Sequence, residues 1–102
     1  PLFPKKTNVE VCRAEDSENI RVKVWERAIG PTLACGTGSC AALVAAATLG
    51  LTGRSADVHL PGGTLRDEWL PDGRIFMTGP ARSVFTGEIA LEDFLPQQAT
   101  EL

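Results

Sequence analysis

Several features that mark common classes of protein are missing from this chain of 102 residues. Basic clusters are absent: Lys5-Lys6 is the only adjacent basic pair, and a net charge of -3 gives no electrostatic footprint for nucleic acid. No charged N-terminal region followed by an apolar run resembles a secretion signal. Residues 32–53 carry no charge, but four glycines interrupt them. The remaining helical portion is too short to span a bilayer, so we expect neither a nucleic-acid-binding nor a membrane-spanning protein.

Cysteine and histidine are scarce, which bears on disulfides and metal chemistry. Three cysteines, Cys12, Cys35 and Cys40, are an odd number, and their spacing is unlike the disulfide framework of small secreted domains. We therefore expect a reducing, cytoplasmic location. No Cys or His pair has zinc-ligand spacing, so we expect no metal site. The one histidine, His59, reads as a half-exposed strand residue.

The composition that is present suits one globular domain. Hydrophobic residues make up 43% of the chain and charged residues 23%, and the length allows a single core. We place the domain at residues 1–95. Residues 96–102 are a polar tail that we expect to fray.

Short alternating segments separated by turn signals predict strands on both sides of one helix, an α+β fold. The first two strands are expected to form an antiparallel pair, and Gly30-Pro31 is expected to stop any strand. Pro71-Asp72-Gly73 predicts a hairpin turn, because proline presets one turn residue and glycine accepts positive φ. The predicted strands cover residues 7–13, 20–26, 56–60, 64–70, 74–78 and 83–91.

The predicted helix covers residues 39–49, which are Ala, Leu, Val, Cys, Ser and Thr only, and Gly50 is expected to end it. It has no polar stripe. A helix that is apolar on all sides must be enclosed, so we expect a curved, mostly antiparallel sheet wrapped around one central helix.

A thiol stands where this helix begins, in Ala34-Cys35-Gly36-Thr37-Gly38-Ser39-Cys40. Free backbone N–H groups and the positive end of the helix dipole favour an anion there, either a thiolate or a bound carboxylate. Cys35 is therefore the candidate for chemistry. Cys40 is expected to fill core space, and Cys12, in a strand without cationic help, is expected to keep an ordinary pKa.

Two further patterns leave alternatives open. Glu26-Arg27 ends a strand just before the thiol loop, so these charges either project near the same mouth or form a surface ion pair of little value. The spacing of Gly36 and Gly38 also fits a loose dinucleotide fingerprint with Asp57 as its acid. The fingerprint needs a buried strand directly before it, and Gly30-Pro31 interrupts that segment, so we disfavour a nucleotide site.

An ordered set of motifs carries a family resemblance. Thr7-Asn8-Val9, Trp25-Glu26-Arg27 and the segment 32–42 resemble the C-terminal half of the diaminopimelate epimerases in order and spacing. The similarity continues through residues 60–63, 77–81 and 85–88 and covers nearly the whole chain. A short Gly-Thr-Gly alone would be weak evidence for a family, whereas the whole set of motifs in this order is specific.

The resemblance implies a cofactor-independent isomerase with two similar domains, each a curved sheet around a helix. Residues 1–95 would belong to the C-terminal domain, and the enzyme would serve the cytoplasmic synthesis of lysine and of the cell-wall precursor. Diaminopimelate would lie between the domains, facing one cysteine from each. Cys35 would be the C-terminal one, acting as thiolate base in one direction and thiol acid in the other. The partner thiol would belong to an N-terminal half, so we expect this chain alone to be inactive.

Residue by residue, the resemblance assigns substrate contacts. Asn8 and Arg27 would hold the distal end of diaminopimelate, with Arg27 offering a fork to its carboxylate. Glu26 would help hold an amino end. The N–H groups of Gly36 and Thr37 would bind the carboxylate on the reacting carbon.

Two other functions stay open from the sequence alone. A related racemase or isomerase acting on proline or hydroxyproline would share the Cys35 helix start, whereas Asn8 and Arg27 suit a substrate with a second charged end. A non-catalytic module could use the helix start only to hold an anion. The sequence also leaves open whether the chain forms a homodimer.

Overall fold

The fold is a six-stranded sheet with one helix packed on it, seen in a computed structural model that describes residues 2–96. The elements are β1 (Val9–Asp16), β2 (Asn19–Glu26), β3 (Gly30–Thr32), α1 (Gly36–Thr48), β4 (Ser55–Leu60), β5 (Gly63–Trp69) and β6 (Ile75–Thr78), followed by a 3₁₀ turn at Leu91–Asp93. The sheet order is β1-β2-β4-β5-β6, and β3 also pairs with β2. Only β2 and β4 run parallel; the other pairs in the described chain are antiparallel. The predicted α+β fold class is confirmed.

The core lies between α1 and the two central strands. Alternate residues of β2 and of β4 point to one face of the sheet, and helix residues three or four apart meet them. The buried apolar side chains are Ile20, Val22 and Val24 of β2, Ala42, Leu43 and Ala46 of α1, and Ala56, Val58 and Leu60 of β4.

The helix is covered on one side only, which corrects the expectation that it is enclosed. Within residues 2–96, the sheet buries the face that carries Leu43 and Ala46, while Ala41, Ala45 and Thr48 on the opposite face are exposed. These exposed positions are small residues, so composition alone could not distinguish the two faces.

The ends of α1 follow local chemistry. It begins at Gly36, three residues before the predicted start, and the predicted end at Gly50 is confirmed. Gly50 has φ +75°, its N–H donates to the Ala47 carbonyl at 3.1 Å, and the Leu51 N–H donates to the Ala46 carbonyl at 2.9 Å. This pair of bonds is a Schellman motif.

Strand β1 presents its polar face to the helix side. Val9 and Val11 are exposed, whereas Cys12 lies opposite the buried Val22 of β2. Although Cys12 is exposed as a residue, neighbouring protein desolvates its sulfur. This desolvation, followed by the charge of Glu10, raises the pKa of the Cys12 thiol, so the expectation of an ordinary pKa is wrong.

Two predicted boundaries are wrong. Gly30-Pro31 does not stop a strand: it forms β3, which pairs with β2 on one side, an edge position where the missing proline N–H is tolerated. Residues 83–91 form no strand. Their side chains are exposed, and no neighbouring strand in the described chain offers a hydrogen-bond ladder. Of the predicted tail, residues 97–102 lie outside the described residues.

The hairpin predicted at Pro71-Asp72-Gly73 is confirmed. It joins the antiparallel strands β5 and β6, and Gly73 has φ +93°. In the part of the chain that the structure describes, no helix has the length and apolar character needed to cross a membrane.

Candidate active site

Cys35 is the N-cap residue of α1. Its backbone is extended (φ -148°, ψ 113°), its carbonyl accepts the Ser39 N–H at 2.9 Å, and its sulfur makes no capping hydrogen bond. The Sγ atom lies 3.5 Å from the Thr37 hydroxyl oxygen. Because the first N–H groups of a helix have no intrahelical acceptor, those of Gly36 and Thr37 are available beside the thiol.

A cleft of about 910 Å³ opens beside this helix start. Its wall combines the thiol loop, the exposed side of α1, the end of β2 and strand β6. The lining residues are Glu26, Cys35, Gly36, Thr37, Cys40, Ala41, Val44, Ile75 and Met77. Cys35 itself is half-buried and lines the cleft, so the residue is partly shielded from water.

The cleft brings together four of the six residues predicted from the sequence: Cys35, Gly36, Thr37 and Glu26. The other two, Asn8 and Arg27, do not line it but are joined to each other, since the Arg27 backbone N–H donates to the Asn8 Oδ1 at 2.9 Å. Arg27 directly follows Glu26, at the end of β2.

A Glu26–Arg27 ion pair, one of the two alternatives, does not form in the described chain, where the salt bridges involve other residues. Arg27 is exposed. Of the two alternatives for this pair, the structure therefore favours Glu26 at the cleft over a surface ion pair.

Cys40 and Met77 are cleft residues that sequence reasoning did not place there. Cys40 is half-buried on α1, and burial, followed by the charge of Asp67, raises the pKa of its thiol. The Met77 side chain packs close to the helix start. A Cβ added to Gly36 would lie 3.1 Å from the Met77 Cε and 3.2 Å from its Sδ. The sequence held no signal for either, since both depend on how β6 and α1 are placed.

A buried carboxylate anchors the first turn of α1 to the sheet. Asp67 on β5 is fully buried, and its Oδ2 accepts the Ser39 hydroxyl at 2.5 Å, whereas its Oδ1 has no hydrogen-bond partner. Burial raises the pKa of Asp67, and the bond from Ser39 partly offsets this. Strand alternation could have indicated that Asp67 is buried. Leu65, Asp67 and Trp69 are two residues apart on β5 and lie on its face toward the core.

His59 on β4 belongs to a group of hydrogen-bonded polar side chains that is separate from the cleft. Its Nδ1 lies 2.9 Å from the Thr64 hydroxyl and its Nε2 lies 2.8 Å from the Asn19 Oδ1. It is half-buried and does not line the cleft, in agreement with the interpretation of a strand residue.

The fold and this site together define an α+β domain that presents a thiol and free helix-start amides to an open cleft. The chain matches the family model described as diaminopimelate epimerase over residues 1–84. It belongs to the diaminopimelate epimerase family.

Several curated relatives are similar to the chain. The diaminopimelate epimerase of Desulfitobacterium hafniense (strain DSM 10664 / DCB-2) is 57% identical over 95 residues, which are 93% of this chain and 33% of that relative. That of Rhodospirillum centenum is 54% identical over 95 residues, or 93% of this chain and 32% of the relative. That of Prochlorococcus marinus (strain NATL1A) is 57% identical over 88 residues, or 85% and 31%. The chain thus spans about a third of the length of these relatives.

Proposed function

We propose that the chain is part of the C-terminal domain of an isomerase that interconverts LL- and meso-diaminopimelate, in lysine biosynthesis, with Cys35 as a proton carrier. The observation that carries the proposal is the half-buried Cys35 at the N-cap of α1, where it lines the cleft. Family membership and the relatives' printed names support the substrate.

The reaction removes the proton from the α-carbon and returns one to its opposite face. In one direction the Cys35 thiolate takes the α-proton and becomes a thiol, while a second thiol on the other face gives its proton to the carbon. In the other direction the two sulfurs exchange roles, so no proton is gained or lost overall. The second thiol would come from the rest of the protein, as would the other wall of the site.

The helix start stabilises the charge that this step creates. When the α-proton leaves, negative charge moves into the carboxylate on the same carbon. The N–H groups of Gly36 and Thr37 are positioned before the reaction and need not reorganise, so they stabilise the transition state more than water would. The same N–H groups and the helix dipole favour negative charge on the neighbouring sulfur.

The charged pair at the end of β2 suits the distal end of the substrate. Glu26 at the cleft would receive an ammonium group, and Arg27 would receive the second carboxylate. The bond from the Arg27 N–H to Asn8 fixes the backbone from which the guanidinium extends. A substrate such as proline has no second charged end for these residues to bind.

Arg27→Lys tests this assignment. In the full-length protein we expect kcat/KM for diaminopimelate to fall roughly tenfold. The reason is that the lysine ammonium cannot make the two parallel hydrogen bonds that a guanidinium donates to a carboxylate, so one of them is lost. Steady-state epimerisation rates measure it. The matched control is Arg74→Lys, at an exposed turn paired with Asp72, and it should leave kcat/KM unchanged. Equal values for the two variants would refute the role of Arg27.

The isolated chain of 102 residues should not epimerise diaminopimelate, because a single thiol cannot both remove a proton and protonate the opposite face quickly. The measurement is α-proton exchange in deuterium oxide together with the ratio of LL to meso product. The full-length protein, run in parallel, should show exchange with inversion. Net epimerisation by the isolated chain would contradict the two-thiol mechanism.

A further inference from the structure

The loop that carries Cys35 is held from outside by the turn between β4 and β5. The Gly62 N–H in that turn donates to the Leu33 carbonyl at 2.7 Å. Leu33 lies two residues before the thiol, between the end of β3 and the start of α1. The bond therefore joins two turns that are distant in the sequence and fixes one of them next to the catalytic sulfur.

The contact is so close that position 62 has no room for a side chain. A Cβ there would lie 2.9 Å from the Leu33 Cβ, 3.0 Å from its carbonyl oxygen and 3.3 Å from its carbonyl carbon. Two of these three atoms are backbone, so relief requires the loop itself to move. Gly62 is not among the glycines with positive φ, so glycine is needed here for the approach and not for backbone conformation.

Little else holds this part of the loop. The side chains of Leu33 and Ala34 are exposed, and a cavity of about 180 Å³ adjoins Ala34, with Gly62 and Pro80 in its wall. The loop thus has space into which it could shift. The next residue, Cys35, is held more firmly. Its carbonyl accepts the Ser39 N–H of α1, and the residue packs against the core.

We infer that the turn Pro61-Gly62 between β4 and β5 is a clamp for the thiol loop, and that Gly62 is a positioning residue for Cys35. The inference rests on the proposed function in so far as Cys35 carries the proton. Proton transfer to carbon depends on sub-ångström placement of the sulfur, and a displacement of about 1 Å can reduce a rate by about 100-fold. Gly62 acts on the reaction only through Leu33 and the position of Cys35.

Gly62→Ala in the full-length protein is the test, with Gly53→Ala as its matched control. Gly53 also lacks positive φ, and a Cβ there meets nothing within 4 Å. We expect kcat to fall on the order of 10- to 100-fold in Gly62→Ala, with a smaller change in KM, and neither to change in Gly53→Ala. The alkylation rate of Cys35 relative to Cys12 should also shift in Gly62→Ala alone. This ratio reports the position of the thiol without relying on activity.

The double variant Leu33→Gly/Gly62→Ala removes the atom nearest to the added methyl group and should recover part of both losses. If Gly62→Ala does not fold, a double variant that folds with a near-wild-type alkylation ratio supports the clamp, and one that stays unfolded overturns it. If Gly62→Ala folds and matches Gly53→Ala in kcat and in alkylation, the clamp is overturned.

Failure of the proposed function gives a different pattern. In that case the wild-type protein shows no epimerisation, while the alkylation ratios of Gly62→Ala and Gly53→Ala still decide whether the turn positions the thiol. An unchanged ratio in Gly62→Ala overturns the clamp there too, and a shifted ratio supports it.

Discussion

Replacing Cys35 with serine in the full-length protein is expected to reduce epimerisation by on the order of 10²- to 10⁴-fold, the range that a positioned general acid or base contributes. Serine has nearly the shape of cysteine, but its hydroxyl is a far weaker acid than a thiol. At neutral pH it holds its proton and cannot act as the base. Because the cap makes no side-chain hydrogen bond, the substitution should leave the helix start intact.

The control is Cys12→Ser, on β1 and away from the cleft, which should retain full activity. Initial rates in both directions measure the effect, and circular dichroism checks that the variants fold. Activity of Cys35→Ser within a few-fold of wild type would remove Cys35 from the reaction.

Alkylation of the wild-type protein gives an independent reading of the same thiol. Burial raises the pKa of both Cys12 and Cys40, so each holds less thiolate at neutral pH than an ordinary cysteine. Cys35 should therefore react first. The order is read by mass spectrometry of partly alkylated protein. A Cys35 that reacts no faster than the other two would favour a module that only binds an anion.

Local signals in the sequence placed the helix start within three residues and identified most strand positions, because each rests on the chemistry of a few adjacent residues. Gly50 ends α1 and Gly73 turns the β5–β6 hairpin as expected, since both positions need positive φ. The position of Cys35 at the helix start could be predicted from one observation, the change in composition from a glycine-rich loop to an alanine-rich run.

What the sequence could not predict depends on distant residues. Residues 83–91 alternate like a strand, yet a strand needs a neighbour for its backbone bonds, and the described chain provides none there. The uniform composition of α1 concealed the exposed face that forms one wall of the cleft. Cys40 and Met77 entered the cleft in the same way, through the packing of α1 and β6.

Asp67 is a different kind of omission, because strand alternation could have indicated its buried position but not its partner. Ser39, its partner, is 28 residues away in the sequence. Their bond is the polar link between the sheet and the first turn of the helix that carries the thiol. Removing this hydrogen bond should therefore lower the free energy of unfolding.

Ser39→Ala is expected to lower the free energy of unfolding by about 1–3 kcal/mol, because the buried Asp67 carboxylate would then have no hydrogen-bond donor at either oxygen. The loss should grow as the pH rises, because the bond from Ser39 lowers the pKa of Asp67 and so favours its ionised form. Urea unfolding measures it. Thr48→Ala, which removes an exposed hydroxyl from the same helix, is the control and should change stability little. Equal losses in the two variants would contradict the anchoring role of Ser39.

Asp67→Asn tests the same pair through its pH dependence. Burial raises the pKa of Asp67 above the ordinary value of 3.8, so the folded state favours the protonated form. Its contribution to stability is fully present below 3.8 and is lost as the pH rises through the raised pKa. Asparagine has no such titration, so the stability of Asp67→Asn relative to wild type should increase from acidic to neutral pH. A difference between Asp67→Asn and wild type that stays constant with pH would show that burial does not control the charge at this position.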